Sequence, residues 1–154
     1  MGAEARLKQL GLELPAPWPD FRSVKMARQI GNTVMTSAHA PGLDGKTPLC
    51  LGTIGADVDV EAAAKAARVC ALCCLSSIRQ LVGSLDKVKR VLKVSGFLQV
   101  APGFYEQGRV MNSFSDVLVE IFGEEGKHVR TTVGIPTMIG NQAMEIELWV
   151  EMGS

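Results

Sequence analysis

The sequence predicts an α+β fold in which a single mixed β-sheet carries two helices packed on one face. Two observations predict it. The chain has 154 residues, which is enough for one domain with a sizeable core, so we expect residues 1–154 to form a single domain. Its apolar residues follow strand and helix periods in the order β-β-(β)-α-β-α-β-β, and the strand patterns are amphipathic.

Residues 1–20 form an N-terminal extension ahead of the sheet. The stretch AEARLKQL, residues 3–10, has the pattern of a short amphipathic helix, and Gly11 suits its end. The proline-rich LPAPWPDF that follows predicts an extended connection, because proline interrupts the hydrogen bonding of helices and of sheets.

Two apolar runs on either side of Gly31-Asn32 predict a hairpin. This dipeptide favours a tight turn, so we expect strands over about 24–29 and 33–38. The composition of HAPGLDGKTP then predicts a loop, and LCLGTIG, residues 49–55, predicts a further short strand.

Two segments have the three- and four-residue apolar spacing of amphipathic helices. The first covers 59–82, where Asp59 suits the N-terminal cap and Gly83 the C-terminal end. The second covers about 109–122 and ends at Gly123. The first stripe consists of Ala63, Ala67, Cys70, Ala71, Cys74, Ile78, Leu81 and Val82, and the second of Val110, Phe114, Val117, Leu118 and Ile121.

Three later segments alternate as strands do, at about 88–100, 128–135 and 142–152. In the first, one face carries Val88, Arg90, Leu92, Val94, Gly96, Leu98 and Val100. In the last, Met144, Ile146, Leu148, Val150 and Met152 point one way, and Glu145, Glu147, Trp149 and Glu151 point the other. Two helices can cover only one side of a sheet made from these strands.

Charge and hydropathy argue against two kinds of partner. The formal net charge is zero, from 16 basic and 16 acidic residues, whereas proteins that bind nucleic acid usually carry a basic excess. No apolar run reaches the roughly 18 residues that a membrane span needs. The first residues also lack the apolar core of a signal peptide. We therefore expect a soluble, cytoplasmic protein for which nucleic acid is an improbable partner.

The cysteines invite a metal or redox interpretation of the stretch CALCC. They are Cys50, Cys70, Cys73 and Cys74. A zinc site of this kind normally has a second pair of ligands at suitable spacing, and the two histidines, His39 and His128, do not provide one. We expect reduced cysteines that pack in the core, with no metal and no cofactor.

The uncovered face of the predicted sheet would carry Arg130, Thr132, Glu145, Glu147 and Trp149. Antiparallel sheets often leave one face in water, but Trp149 and Gly134 are unusual choices for such a face. A cyclic oligomer would cover it and would create clefts between subunits. Pattern alone therefore favours self-association.

Arg130, in the middle of a predicted strand, has two interpretations that the residues leave open. It could pair across the sheet with Glu145 or Glu147, which would add a fraction of a kcal/mol. Alternatively, its guanidinium could lie in a cleft and bind a carboxylate or phosphate through two parallel hydrogen bonds.

Several motifs together resemble the RidA/YjgF family of enamine/imine deaminases, and in particular a longer subgroup with an extra N-terminal helix. They are IGNTVMTSAHAP, the helix-strand unit from AAKAARVC to KVSGFL, VMNSFSDVLVEIFGEEGKHVR, and HVRTTVGI with MEIELWV. The resemblance covers nearly the whole chain. It implies a chorismate-mutase-like fold and a homotrimer with three ligand sites at the subunit interfaces.

The resemblance also implies which residues form the site. Arg130 stands where the family has the arginine that binds the substrate carboxylate, and Glu145, fifteen positions later, stands where it has a glutamate. We expect Glu145 to position and activate water. The remaining substrate-binding positions fall on Ser37, Ala38, Asn112 and Thr132, with Ala38 in place of the family glycine.

The implied reaction is hydrolytic deamination of 2-imino acids, or of enamine tautomers such as 2-aminoacrylate, to 2-oxo acids and ammonia. It needs no metal and no nucleophilic side chain. We expect Glu145 to stay ionised beside a guanidinium, and so to orient water more than to take a full proton. Two alternatives stay open: a regulatory trimer that binds a small carboxylate without turnover, and, less favoured, an endoribonuclease.

Overall fold

Five strands form one mixed sheet in the computed structural model, which describes residues 1–153. They are β1 (Ala27–Ile30), β2 (Thr33–Thr36), β3 (Val88–Gln99), β4 (Val129–Ile135) and β5 (Met144–Met152). Their order in the sheet is β1-β2-β5-β3-β4. The pair β3 and β4 is parallel and every other pair is antiparallel. The predicted mixed sheet is confirmed, and β4 lies at its edge.

The three helices begin and end close to where the sequence predicts. They are α1 (Ala3–Leu10), α2 (Val60–Val82) and α3 (Gln107–Phe122). Asp59 caps α2 by accepting a hydrogen bond from the Ala62 amide at 2.7 Å, and Gly83 ends it with φ of +88°. Within residues 1–153, no helix combines the length and the apolarity that crossing a membrane requires.

Helices α2 and α3 pack against each other and cover one face of the sheet, as predicted. The inward-pointing residues of β5 are all buried, and they are Met144, Ile146, Leu148, Val150 and Met152. Both predicted helical stripes are buried too, except that Leu81 is exposed and Val82 half-buried at the end of α2. Burial of these apolar side chains is the main stabilising term of the fold.

The predicted strand at residues 49–55 is wrong. Only isolated bridges form there, from Leu51 to Gln142 and from Ile54 to Val58 and to Val100. Gly52 and Gly55 follow the bridged residues and have positive φ angles of +110° and +89°, which turn the chain away from an extended course. The segment is a loop held against the sheet at single points.

The predicted face of β3 is correct at Val88 and from Val94 onward, and wrong at Arg90 and Leu92. The ladder with β5 shifts register between Val88 and Arg90 and again between Val91 and Lys93. Because each irregularity inserts an extra residue on one strand, Val91 is buried in place of its neighbours. Simple alternation could not anticipate these shifts.

Three cysteines lie on the buried face of α2, and their thiols are free. The Cys70 and Cys73 thiols donate to the carbonyls of His39 and Gly42, each at 3.0 Å. Burial raises the pKa of the Cys73 thiol to about 11, so this thiol stays protonated at neutral pH. Among residues 1–153, no group of three or more His, Cys, Asp or Glu side chains could hold a metal ion.

We predict that replacing Cys70, Cys73 and Cys74 together with alanine lowers the free energy of unfolding, because each change leaves a cavity in a packed core. The expected loss is on the order of 1 kcal/mol for each thiol. Urea denaturation measures it, and the half-buried Cys50→Ala serves as the control with a smaller effect. An unchanged unfolding free energy, or stoichiometric zinc that the substitutions remove, would contradict a packing role.

Candidate active site

Arg130 and Thr132 lie on the side of the sheet that the helices cover. Arg130 pairs with Val94 of β3 and Thr132 with Gly96, and paired residues share a face. Val94 is fully buried, and a Cβ atom on Gly96 would lie 2.5 Å from Met111 of α3. The expectation that both side chains occupy the uncovered face is therefore wrong. Alternation along β4 separates its two faces, but only the register with β3 decides which one meets the helices.

Cross-strand pairing of Arg130 with Glu145 or Glu147 does not occur. Strand β3 separates β4 from β5, so the two carboxylates are not neighbours of β4. They lie on the uncovered face, with Glu145 opposite Phe97 and Glu147 opposite Ser95. Within residues 1–153, Arg130 makes no ion pair at all. The first interpretation of this arginine is thereby excluded.

Two side chains of α3 hold the half-buried guanidinium of Arg130. The Asn112 Oδ1 atom accepts from Nη1 at 3.1 Å and from Nη2 at 3.2 Å, and the Ser115 hydroxyl accepts from Nη1 at 3.1 Å. All of these acceptors are neutral. Within residues 1–153, the Nε–H and the Nη2–H beside it have no acceptor, so one edge of the guanidinium stays open.

The surroundings of this open edge are suited to a small ligand. The Oγ1 atom of Thr132, one pleat along β4 on the same face, is buried and has no hydrogen-bond partner within residues 1–153. A Cβ atom on Gly134 would lie 2.6 Å from the Val100 side chain and 2.8 Å from the Gln107 side chain, so a larger residue there would displace these neighbours. A Cβ atom on Gly108, in the first turn of α3, would lie 3.9 Å from Arg130 Nη2, so this turn borders the guanidinium. Donors therefore converge between the edge strand and the start of α3.

The other predicted site residues lie elsewhere in the same chain. Ser37 follows β2 and donates to the Lys25 carbonyl at 2.7 Å. Ala38 is next to His39, which pairs with Ile146, the residue after Glu145. The chain thus brings Arg130, Asn112 and Thr132 together in one group. A second group, formed by Ser37, Ala38 and Glu145, lies just after β2 and at the start of β5, and β3 separates it from β4.

Burial raises the pKa of the Glu145 carboxyl. We had expected a neighbouring guanidinium to favour the ionised form, but no cation pairs with Glu145 among residues 1–153. The physical reason is the same separation by β3. A carboxyl group with a raised pKa exchanges protons more readily near neutral pH than an ordinary glutamate does.

Two residues of the arginine group were missed in the sequence, namely Ser115 and His128. The His128 Nε2 atom lies 2.9 Å from the Ser115 hydroxyl, and Nδ1 lies 2.7 Å from the Gly126 carbonyl. Spacing could have revealed both. Ser115 is one helical turn from Asn112, and His128 is two residues before Arg130, which places it on the same face of an extended chain.

The uncovered face of the sheet is rich in apolar side chains. Trp149 on β5 is 37 % exposed. Val129 and Val133 on the edge strand β4 are 66 % and 38 % exposed. Half-buried Phe97 and Met35 lie on the same face. Lys93 lies between Trp149 and Val129 on this face, so the apolar side chains alternate with polar ones. A cluster of large exposed apolar side chains commonly marks an interaction site.

Comparison with known proteins identifies the family. A family described as "YjgF/chorismate_mutase-like, putative endoribonuclease" matches residues 4–152. The chain belongs to this family. The resemblance to RidA/YjgF proteins that the sequence motifs indicated is thereby confirmed, and so is the α+β fold.

Three similar proteins cover nearly the whole chain. The Trypanosoma cruzi protein TCP17 is 35% identical over 152 residues, which is 97% of this chain and 94% of TCP17. A Shewanella oneidensis structure described as a putative endoribonuclease is 32% identical with a TM-score of 0.93, over 99% of this chain and 100% of that one. The Agrobacterium tumefaciens protein Atu1372, of unknown function, is 35% identical with a TM-score of 0.87, over 98% and 92%.

We predict that Glu145→Gln raises the melting temperature at pH 7. Because burial raises the pKa of Glu145 in the folded state, ionisation of this carboxyl group at pH 7 lowers the free energy of unfolding, and glutamine removes that cost. The cost disappears at low pH, where the carboxyl group is neutral in the folded and the unfolded chain. The gain should therefore vanish below about pH 4, where glutamate is protonated in both states. Thermal denaturation at the two pH values measures it, with Glu147→Gln on the same face as the control. A lower melting temperature at pH 7 would show that a cation, in the same chain or in a neighbouring one, outweighs the effect of burial on Glu145.

Proposed function

We propose that the protein hydrolyses reactive 2-imino acids, or their enamine tautomers, to 2-oxo acids and ammonia, with Arg130 binding the substrate carboxylate. The observation that supports this is the open Nε–Nη2 edge of a half-buried guanidinium whose partners are all neutral. A carboxylate fits such an edge through two parallel, charge-assisted hydrogen bonds. The family resemblance in the motif around Arg130 agrees with the same role.

The neighbouring groups complement a bound 2-imino acid. Asn112 and Ser115 hold the guanidinium from its other edge, so the arginine is oriented before the ligand binds. The unpartnered Thr132 hydroxyl can donate to the carboxylate or to a water molecule beside it. The Thr132 hydroxyl has no base partner within residues 1–153. The Ser115 hydroxyl lies 2.9 Å from His128 Nε2, but its oxygen already accepts from Arg130 Nη1, so we assign both hydroxyls to binding.

In the proposed reaction, water adds to the carbon of the C=N bond. The water oxygen forms the new C–O bond, one of its protons goes to a base, and the nitrogen takes up a proton. The resulting carbinolamine loses ammonia, the C–N bond breaks, and a C=O bond forms. We assign proton transfer to Glu145, because its raised pKa suits a group that accepts a proton from water and returns it to the leaving nitrogen.

A complete site requires more than one chain. Arg130 and Glu145 occupy opposite faces of one sheet, with β3 between their strands. We therefore propose a homotrimer in which the uncovered face of one subunit meets the edge of the next, so that Glu145, Ser37 and Ala38 approach the Arg130 group of a neighbour. The exposed apolar side chains Trp149, Val129 and Val133 give this contact its driving force.

We predict that Arg130→Lys fails nearly as badly as Arg130→Ala, because lysine keeps the charge but cannot form two parallel hydrogen bonds. The expected loss in kcat/KM is roughly 30- to 1000-fold, measured as ammonia release from freshly generated imino acids. The melting curve should stay close to that of the wild type. Arg68→Lys is the control, because Arg68 makes a bidentate ion pair with Glu120 that serves the fold. Full activity of Arg130→Lys would overturn the proposed role.

We predict that Arg130→Ala and Glu145→Ala chains, each inactive alone, regain activity when they are refolded together. In a shared site, an intact Arg130 of one chain meets an intact Glu145 of the next at about a quarter of the interfaces of a random trimer. Recovery of about that fraction of wild-type activity is the expected result. Light scattering should show a mass of three chains of 16.5 kDa. If mixed trimers form and activity does not return, the two residues do not act in one shared site.

Two other activities would give different results in the same experiments. A regulatory carboxylate-binding trimer would bind 2-oxo acids through Arg130 and leave imino acids unchanged. An endoribonuclease, as the Shewanella oneidensis relative is described, would cleave RNA. Zero net charge argues against this, and so does the separation of His39 after β2 from His128 before β4. RNA cleavage that survives Arg130→Ala and high salt would refute the proposed deaminase.

A further inference from the structure

Four groups form a continuous hydrogen-bond chain that ends on the Arg130 guanidinium. It runs from the Gly126 carbonyl to His128 Nδ1 at 2.7 Å, from His128 Nε2 to the Ser115 hydroxyl at 2.9 Å, and from that hydroxyl to Arg130 Nη1 at 3.1 Å. The chain connects the turn before β4, α3 and β4 itself. In the reaction proposed above Ser115 only holds the guanidinium, and Gly126 and His128 have no part.

The direction of each bond in this chain follows from the chemistry of its ends. A carbonyl can only accept, so His128 Nδ1 carries a hydrogen and donates it to Gly126. In a neutral imidazole Nε2 then has a lone pair and accepts the Ser115 hydroxyl hydrogen. The hydroxyl oxygen thereby turns its lone pairs toward Arg130 Nη1, which can only donate.

We propose that His128 is a positioning residue for Arg130: its neutral ring accepts from Ser115, aims the hydroxyl lone pair at Nη1, and so holds the Nε–Nη2 edge open toward the ligand. This inference rests on the proposed function, because it assumes that Arg130 binds a carboxylate. His128 touches neither the ligand nor the reacting atoms. It acts through Ser115 alone.

The surroundings of His128 favour the neutral ring. Burial lowers its pKa, and the positive charge of Arg130 on β4 lowers it further, while the bond to the Gly126 carbonyl acts in the opposite direction. Helix α3 presents the neutral Ser115 hydroxyl. Within residues 1–153, no carboxylate forms an ion pair with His128.

The charged groups nearest in sequence to His128 have other partners. In the turn before β4, Glu124 pairs with Lys127 at 2.7 Å and Glu125 with Arg90 at 3.3 Å. On α3, the charge of Asp116 acts on Arg68. These groups therefore do not hold the imidazole in its protonated form.

Protonation of His128 would break this arrangement. A charged ring carries a hydrogen on Nε2 as well, so imidazolium and guanidinium would both donate to one hydroxyl oxygen. Because the pKa of His128 is depressed, the neutral form persists above it and is lost as pH falls through it, below the ordinary value of about 6.5. Carboxylate binding should weaken on that acid side.

The test uses pyruvate, a 2-oxo acid whose carboxylate stays ionised from about pH 5 to about pH 8. Its dissociation constant is measured by calorimetry across this range for the wild type, His128→Gln, His128→Leu and Ser115→Ala. Glutamine offers an acceptor oxygen to Ser115 and does not titrate. Ser113→Ala on the same helix is the matched control, because Ser113 makes no side-chain hydrogen bond within residues 1–153.

Wild-type affinity should fall as pH falls, and His128→Gln should bind well at pH 7.5 with a flatter profile. His128→Leu and Ser115→Ala should bind about fivefold more weakly at pH 7.5, which corresponds to one neutral hydrogen bond. Ser113→Ala should behave as the wild type. Nitrogen-15 shifts of the ring should show a protonated Nδ1 and a bare Nε2 at pH 7.5. Melting curves identify any variant that fails to fold. If His128→Leu or Ser115→Ala does, the pH profile of His128→Gln and the nitrogen-15 shifts of the wild-type ring test the positioning role instead.

The possible failures are distinguishable. Arg130-dependent pyruvate binding that His128→Leu and Ser115→Ala leave unchanged would overturn the positioning role and leave the proposed function standing. A protonated Nε2 at pH 7.5 would overturn the positioning role too. So would a loss of pyruvate affinity at low pH that is as large in His128→Gln as in the wild type. Pyruvate binding that is absent from the wild type or unaffected by Arg130→Lys would refute both proposals.

Discussion

The parallel pairing of β3 with β4 is the constraint on which the rest of this site depends. Parallel neighbours cannot be joined by a tight turn, so the chain must cross over the sheet between them, and α3 is that crossover. A crossover helix runs antiparallel to its strands, which places the start of α3 above the ends of β3 and β4. Gln107 at the start of α3 therefore lies beside Gly134 near the end of β4, and Asn112 and Ser115, further along the helix, lie over Arg130 near the start of β4. A hairpin connection would have given this arginine no such partners.

The register of the same pair explains why an arginine is tolerated beneath a helix. Arg130 faces the covered side, opposite the fully buried Val94, yet β4 is an edge strand and its side chains reach open space. A half-buried charge without a counter-ion costs free energy, because the neutral acceptors only partly replace water. Stability alone gives no reason for such a residue, whereas binding of an anion does.

The position of Glu145 follows from the strand order. Residues on neighbouring strands can cooperate on one face, but β5 is not a neighbour of β4, and Glu145 points to the other face. The fourteen residues between Arg130 and Glu145 span most of β4, a connection and the start of β5, and they do not bring the two side chains into contact. The exposed apolar side chains of Trp149 and Val133 support the proposal that a second copy of the chain covers this face.

The sequence by itself determined the elements, the buried stripes of α2 and α3 and the inward face of β5, because periodicity and capping depend on local residues such as Asp59 and Gly83. It also identified Arg130 as out of place in a strand. Only the tertiary structure decided which face Arg130 occupies, that it meets Asn112 and Ser115, and that Glu145 lies apart from it. Strand order and register are set by pairings between residues distant in the chain, and a bulge or a crossover changes them without a local signal.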